Sequence, residues 1–154
     1  MTITEIQNLL EKQREYYRTG VTIPTDFRIK QLKKLYAVVK KYEKEINDAL
    51  KADLGKSHYE GFMCESGLVL SEISYMIKNT RKFARRKTVY TPLAQFPSHS
   101  FKQPVPYGNT LIMSPWNYPF LLTIDPLANA IAAGNTVVLK PGEQYTIMPE
   151  TLHW

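Results

Sequence analysis

NTLIMSPWNYPFLLTIDPLANAIAAGNTVVLKP, residues 109–141, changes its periodicity twice within thirty-three residues. A compact apolar run leads into a Pro-Trp-Asn-Tyr-Pro cluster, an apolar alanine-rich segment follows as far as Gly134, and a β-branched run closes the stretch. Strand, helix and strand in that space make a βαβ unit, whose crossover forces the two strands to run parallel. Parallel sheets have several strands and are covered on both faces. Only two strands are supplied here, and the thirteen residues after Pro141 are too few for another helix and strand. The expected fold is α/β, with the first βαβ of a Rossmann-like parallel sheet and an incomplete domain.

Open α/β sheets bind ligands outside the carboxyl ends of their strands. SPWN ends the first strand and KPGE the second, so two motifs about twenty residues apart in sequence are expected to meet at one rim. Asn117 carries a neutral amide with two donor hydrogens, suited to the charge that develops on a carbonyl oxygen under nucleophilic attack. Asparagine is also a good helix cap, and spacing alone favours that role. Lys140 and Glu143 place a cation and a carboxylate around a proline turn, able to grip vicinal ribose hydroxyls or to form an ordinary solvated turn. Trp116 and Tyr118 are either a cofactor wall or core aromatics, the usual place for such rings. No G-x-G-x-x-G or Walker-type loop follows the first strand.

Upstream, the chain reads as helical. Thr4 with Gln7 gives a capping-box signature, and Ile6, Leu9, Leu10, Tyr16 and Tyr17 follow at helical spacing before Gly20. Ile29, Leu32, Leu35, Val39, Tyr42, Ile46 and Leu50 then recur every three or four residues up to Gly55, as one long helix or two broken near Lys41. A third helical region covers about residues 59–86, with Phe62, Leu68, Val69, Ile73, Met76, Ile77 and Phe83 on its apolar side and Gly61 and Gly67 blurring its start. TVYTPLAQ and SHSFKQPV are bounded by Pro92, Pro97 and Pro104, which confine them to edge strands or a hairpin.

The totals are those of a globular chain. At 154 residues it buries about two-thirds of its unfolded surface, and 44% hydrophobic with 22% charged residues is ordinary. The start MTITEIQNLLEKQ lacks a signal peptide's regions, and Cys64 is the single cysteine, so a reducing, cytoplasmic setting is expected. No window approaches the roughly 18 apolar residues of a membrane span. His58, His99 and His153 lack metal-ligand spacing, and Cys64, within GFMCESG, has no neighbouring cation or histidine to activate it. The net charge of +6 is concentrated in KNTRKFARRK, residues 78–87, with six cations and no acid. Helix ends favour cations, and one aromatic residue is meagre for nucleic acid, so no nucleic-acid partner is expected.

These stretches together resemble the aldehyde dehydrogenase superfamily, and more closely its class 3 or fatty-aldehyde-type members. The resemblance covers nearly the whole chain: ADLGKSHYE, GLVLSEI, QPVPYGNTLIMSPWNYPF and PLANAIAAGNTVVLKP run in the family's order and spacing. It implies an oxidoreductase that converts an aldehyde to a carboxylic acid with NAD or NADP. Asn117 would be the catalytic residue that donates to the oxyanion formed when a cysteine thiolate attacks the aldehyde. Met113, Ser114, Pro115 and Trp116 would line the cofactor, and Lys140 and Glu143 would contact the adenosine ribose. The family's variant Rossmann domain lacks the glycine fingerprint at this turn as well.

The resemblance also divides the chain. Residues 1–87 would be the helical region of the cofactor domain, residues 88–106 the oligomerisation arm of a homodimer, and residues 107–154 the first strand-helix-strand. The family's nucleophilic cysteine, its general-base glutamate and its glycine-rich nicotinamide segment lie downstream of position 154, so the chain is expected to be an N-terminal fragment, inactive alone. KPGEQ has glycine where the family commonly has serine or alanine, and Pro149 would break the helix that usually follows. A different class stays open beside it: a non-catalytic helical module whose residues 78–87 bind an anionic partner.

Overall fold

The computed structural model describes residues 2–142. Its first element, α1 (Ile3–Arg18), begins two residues earlier than the Thr4–Gln7 signature predicts. Thr2 is the cap: Glu5 N–H donates to Thr2 Oγ1 at 3.3 Å, and Thr2 N–H donates to Glu5 Oε2 at 2.6 Å. TITE and TEIQ offer the same pattern in overlapping frames, and the frame with a charged third residue prevails because a carboxylate also favours the helix N-terminus.

The long apolar repeat is two helices, α2 (Thr25–Lys41) and α3 (Glu43–Leu54), broken at Tyr42. Leu32, Leu35 and Val39 of α2 and Ile46, Ala49 and Leu50 of α3 are buried. Gly55, at φ +69°, ends α3 in the left-handed conformation that suits glycine. One turn of α4 (His58–Gly61) then widens into a π turn, Phe62–Ser66, before α5 (Gly67–Phe83). The two glycines that blur this start in the sequence are what permit it. A Cβ on Gly61 would lie 2.6 Å from Asn47 Oδ1 of α3, and one on Gly67 would lie 2.7 Å from the Phe62 carbonyl oxygen. On α5, Val69, Leu70 and Ile73 face the core, whereas Phe62, Leu68 and Phe83, assigned to the apolar side by periodicity, are exposed.

The proline-bounded segment is a hairpin, one of the two arrangements its prolines allow. β1 (Lys87–Val89) pairs antiparallel with β2 (Ser100–Lys102), Lys87 opposite Lys102. The βαβ unit follows: β3 (Asn109–Met113), α6 (Leu121–Ala133) and β4 (Thr136–Lys140). The strands are parallel and in register from Asn109 opposite Thr136 to Met113 opposite Lys140. Among the described residues these are the two sheets, each of two strands.

The core lies where α6 meets α2 and α5. Phe120, Ile124, Ala128 and Ala132, spaced by four, form a buried stripe against Leu32, Val39, Val69 and Ile73. α6 tolerates Pro126 inside it and is held at both ends by side chains from distant helices. Its first amides, Phe120 N–H and Leu121 N–H, donate to Glu65 Oε2 at 2.9 and 3.2 Å. At its other end Arg28 donates through Nη1 to the Ala132 carbonyl at 3.3 Å, and through Nε and Nη2 to Thr22 and Ile23 carbonyls at 2.8 and 2.6 Å. An anion at the N-terminus and a cation at the C-terminus both complement the helix dipole. Burial pulls the Arg28 guanidinium below its ordinary pKa, with Tyr17 acting in the opposite direction.

Candidate functional site

Parallel register decides where the two motifs go. Met113 and Lys140 are the last paired residues of β3 and β4, and the next amide, Ser114 N–H, donates to the Lys140 carbonyl at 3.1 Å. SPWN and Lys140 therefore share the carboxyl rim, as the sequence predicts. Met113 is 68% exposed and Trp116 62% exposed, while Pro115, Asn117 and Lys140 are exposed and Ser114 is half-buried. Trp116 and Tyr118 are thus outside the core. Glu143 lies outside the described residues, as do the residues on which the Pro149 expectation rests.

The loop between β3 and α6 is fastened at Ser114 and from Asn117 to Phe120. The buried Thr123 hydroxyl lies 2.5 Å from the Pro119 carbonyl and 2.6 Å from Ser114 Oγ. A hydroxyl has one hydrogen, so Thr123 donates to the carbonyl and accepts from Ser114. Lys56 Nζ donates to the Asn117 carbonyl at 3.2 Å and sits 4.2 Å from the centre of the Tyr118 ring. The α6 amides are taken by Glu65, and no side chain of the loop caps this helix. Asn117 is therefore not its cap, contrary to what spacing favours. Its side chain stands exposed on a loop whose backbone is tied down on both sides.

Lys56 and Glu65 hold this loop, and the sequence reading gave them no role. Glu65 had a visible signal: it stands four residues before Val69 and eight before Ile73, on the buried stripe of this helical region. A carboxylate at such a position needs a partner. Lys56 had none, being one lysine after a glycine. Cys64 lies in the π turn, half-buried, and does not belong to the rim.

The rim is an open shelf. A cavity of about 570 Å³ lies instead among α1, α2, α6 and the first residues of β4, lined by Thr22, Arg28, Asn135 and Thr136, and no rim residue borders it. Among the described residues, no group of three or more acidic, cysteine or histidine side chains could hold a metal ion. No helix among them is long and apolar enough to cross a membrane. The run at residues 78–87 is partly engaged: Arg81 pairs with Asp26, and Arg86 donates to Gln103 and covers the Phe101 ring.

Two parallel strands whose carboxyl ends lie side by side, with a helical layer packed on their crossover, define the carboxyl rim of an open α/β fold. The chain belongs to the aldehyde dehydrogenase family, which it matches over residues 1–152. It is 40% identical over 142 residues to the dimeric NADP-preferring aldehyde dehydrogenase of Canis lupus familiaris, covering 92% of this chain and 31% of that one. It is 40% identical over 139 residues to aldehyde dehydrogenase family 3 member H1 of Arabidopsis thaliana, covering 90% and 29%. The solved substrate-bound state of Staphylococcus aureus AldH superposes with a TM-score of 0.87 at 41% identity, over 93% of this chain and 31% of that one. The chain thus spans about 30% of the length of these relatives and carries the N-terminal part of their fold.

Proposed function

We propose that these residues serve as the N-terminal part of an NAD(P)-dependent aldehyde dehydrogenase, which oxidises aldehydes to carboxylic acids. The observation that carries this is the pairing of Met113 with Lys140, which brings the Asn117 loop and the end of β4 to one rim. Asn117 then acts as the oxyanion donor. Its amide hydrogens meet the aldehyde oxygen as negative charge builds on it, and the fastened backbone spares reorganisation at that moment. The thiolate and the general base come from residues beyond this segment.

The donor set at the rim fits a dinucleotide. Met113 and Trp116, both exposed, with Ser114 and Pro115 between them, offer apolar surface to the dinucleotide, and the exposed Lys140 offers an ammonium group to its ribose hydroxyls, a role that this reading also gives to Glu143. When bound, the nicotinamide accepts the hydride. Residues 1–87, 88–106 and 107–154 act as helical layer, dimer arm and cofactor-binding βαβ, respectively. The arm carries exposed Tyr90, Leu93, Phe96 and Phe101, which supports pairing with a second subunit in a cytoplasmic homodimer.

The test compares two proteins for aldehyde-dependent NAD(P)H formation. One is the 154-residue chain, and the other is a hybrid in which it replaces the matching segment of the Staphylococcus aureus relative. The expected result is none from the first and steady formation from the second. Formation by the chain alone, or a folded, dinucleotide-binding hybrid that forms none, would overturn the proposal.

A further inference from the structure

Glu65 is 0% exposed and Lys56 8% exposed, yet they form an ion pair at 2.5 Å, with no other charged group bonded to either among the described residues. Buried pairs of this kind are poor devices for stability, because the desolvation cost offsets the attraction. Their remaining bonds show what they hold. Glu65 Oε2 accepts from Phe120 and Leu121, and Lys56 reaches the Asn117 carbonyl and the Tyr118 ring. Among the described residues, every side-chain hydrogen bond and ring contact outside the pair falls on residues 117, 118, 120 and 121. The two side chains come from different places, Lys56 from the turn after α3 and Glu65 from the π turn, so the pair also ties both to this loop.

We propose that the buried Lys56–Glu65 pair is the positioning device for Asn117: it fixes that residue's own carbonyl and the loop that follows it, so that the exposed amide is held ready at the rim. This rests on the reading of Asn117 as oxyanion donor. Neither residue touches the reacting atoms, and both act through the loop. A lone carboxylate would cap α6 equally well. The lysine is what extends the hold from the helix to Asn117 itself.

A neutral exchange, Lys56→Met with Glu65→Gln, removes both charges without stranding either one. In the catalytically active hybrid it is expected to lower kcat by up to about 100-fold, the cost of misplacing a catalytic group by about 1 Å. Dinucleotide affinity stays unchanged, and the exchange costs nothing further once Asn117 is alanine. An equal loss in the Asn117→Ala background would mark a merely structural role and overturn the proposal. If Asn117→Ala alone leaves kcat unaltered, the oxyanion reading fails instead.

Nuclear magnetic resonance on the 154-residue chain judges the clamp apart from catalysis. The expected result is broadened or shifted Asn117 amide signals in the exchanged variant, with Ile73 and Ile124 methyl signals kept. Unchanged Asn117 signals would overturn the proposal. Should the variant not fold, the wild-type chain decides: the Lys56 ε-methylene protons are expected upfield, beneath the Tyr118 ring, and random-coil shifts there would overturn it.

Discussion

Arg28 and Glu65 occupy positions that helical periodicity assigns to the core, four residues before Leu32 and Val69, and each caps one end of α6. Charged residues on a buried stripe were legible in the sequence as anomalies. Their partners were not, because those lie 104 and 55 residues away. Gly134 shows the same coupling. At φ +91° it ends α6, and a Cβ there would lie 2.6 Å from the Arg28 guanidinium carbon. Gly134→Ala is expected to destabilise by about 1–3 kcal/mol, from the strained backbone and the displaced guanidinium. Urea denaturation followed by circular dichroism measures it.

Asp125 supplies a pH-dependent case. Burial first, and then the Glu72 carboxylate facing it from α5, raise its pKa. The folded chain therefore holds this proton more tightly than the unfolded chain, and stability falls as pH rises through the folded value. Asp125→Asn is expected to raise the melting temperature at pH 7. That gain fades as pH drops below the ordinary carboxylate pKa, where both states are protonated. A gain that persists at low pH would contradict the assignment.

Among the elements, the βαβ unit was the most legible, because its apolar runs are bounded by Pro115, Gly134 and Pro141 and its connection allows one handedness. From that unit alone the shared rim follows, and the structure bears it out in the Met113–Lys140 pairing. Helix boundaries were less legible where two cues competed, as at Thr2 and Thr4. The π turn at residues 62–66 carries no periodic signature, since one widened turn shifts the stripe by a single residue. Phe62, the first residue of that turn, is exposed. α6 packs against α2, α5 and both strands of the βαβ unit. Ile124→Ala, at a fully buried position, is expected to cost about 2–5 kcal/mol, read from the shift in the urea midpoint.

Over the whole molecule, one long run of exposed apolar residues stands out along the sequence. Tyr90, Leu93, Phe96, Phe101, Val105 and Tyr107, the last 97% exposed, follow one another through the hairpin and the residues after it, and Leu111 and Met113 follow on β3. Edges and patches of this kind associate. Sedimentation of the 154-residue chain is expected to show self-association that grows with concentration, and Phe96→Lys with Phe101→Lys is expected to reduce it. Monomers with a sharp, cooperative thermal transition would contradict that expectation.

The claim on which the rest depends is that Asn117 stabilises charge on the aldehyde oxygen. Single-turnover NAD(P)H formation in the active hybrid, comparing Asn117 with Asn117→Ala at saturating dinucleotide, tests it most directly. A rate lower by about 100- to 1000-fold, the usual cost of removing one oxyanion donor, is the expected result, with dinucleotide affinity unchanged. An unaltered rate would show that the amide does not meet the oxyanion.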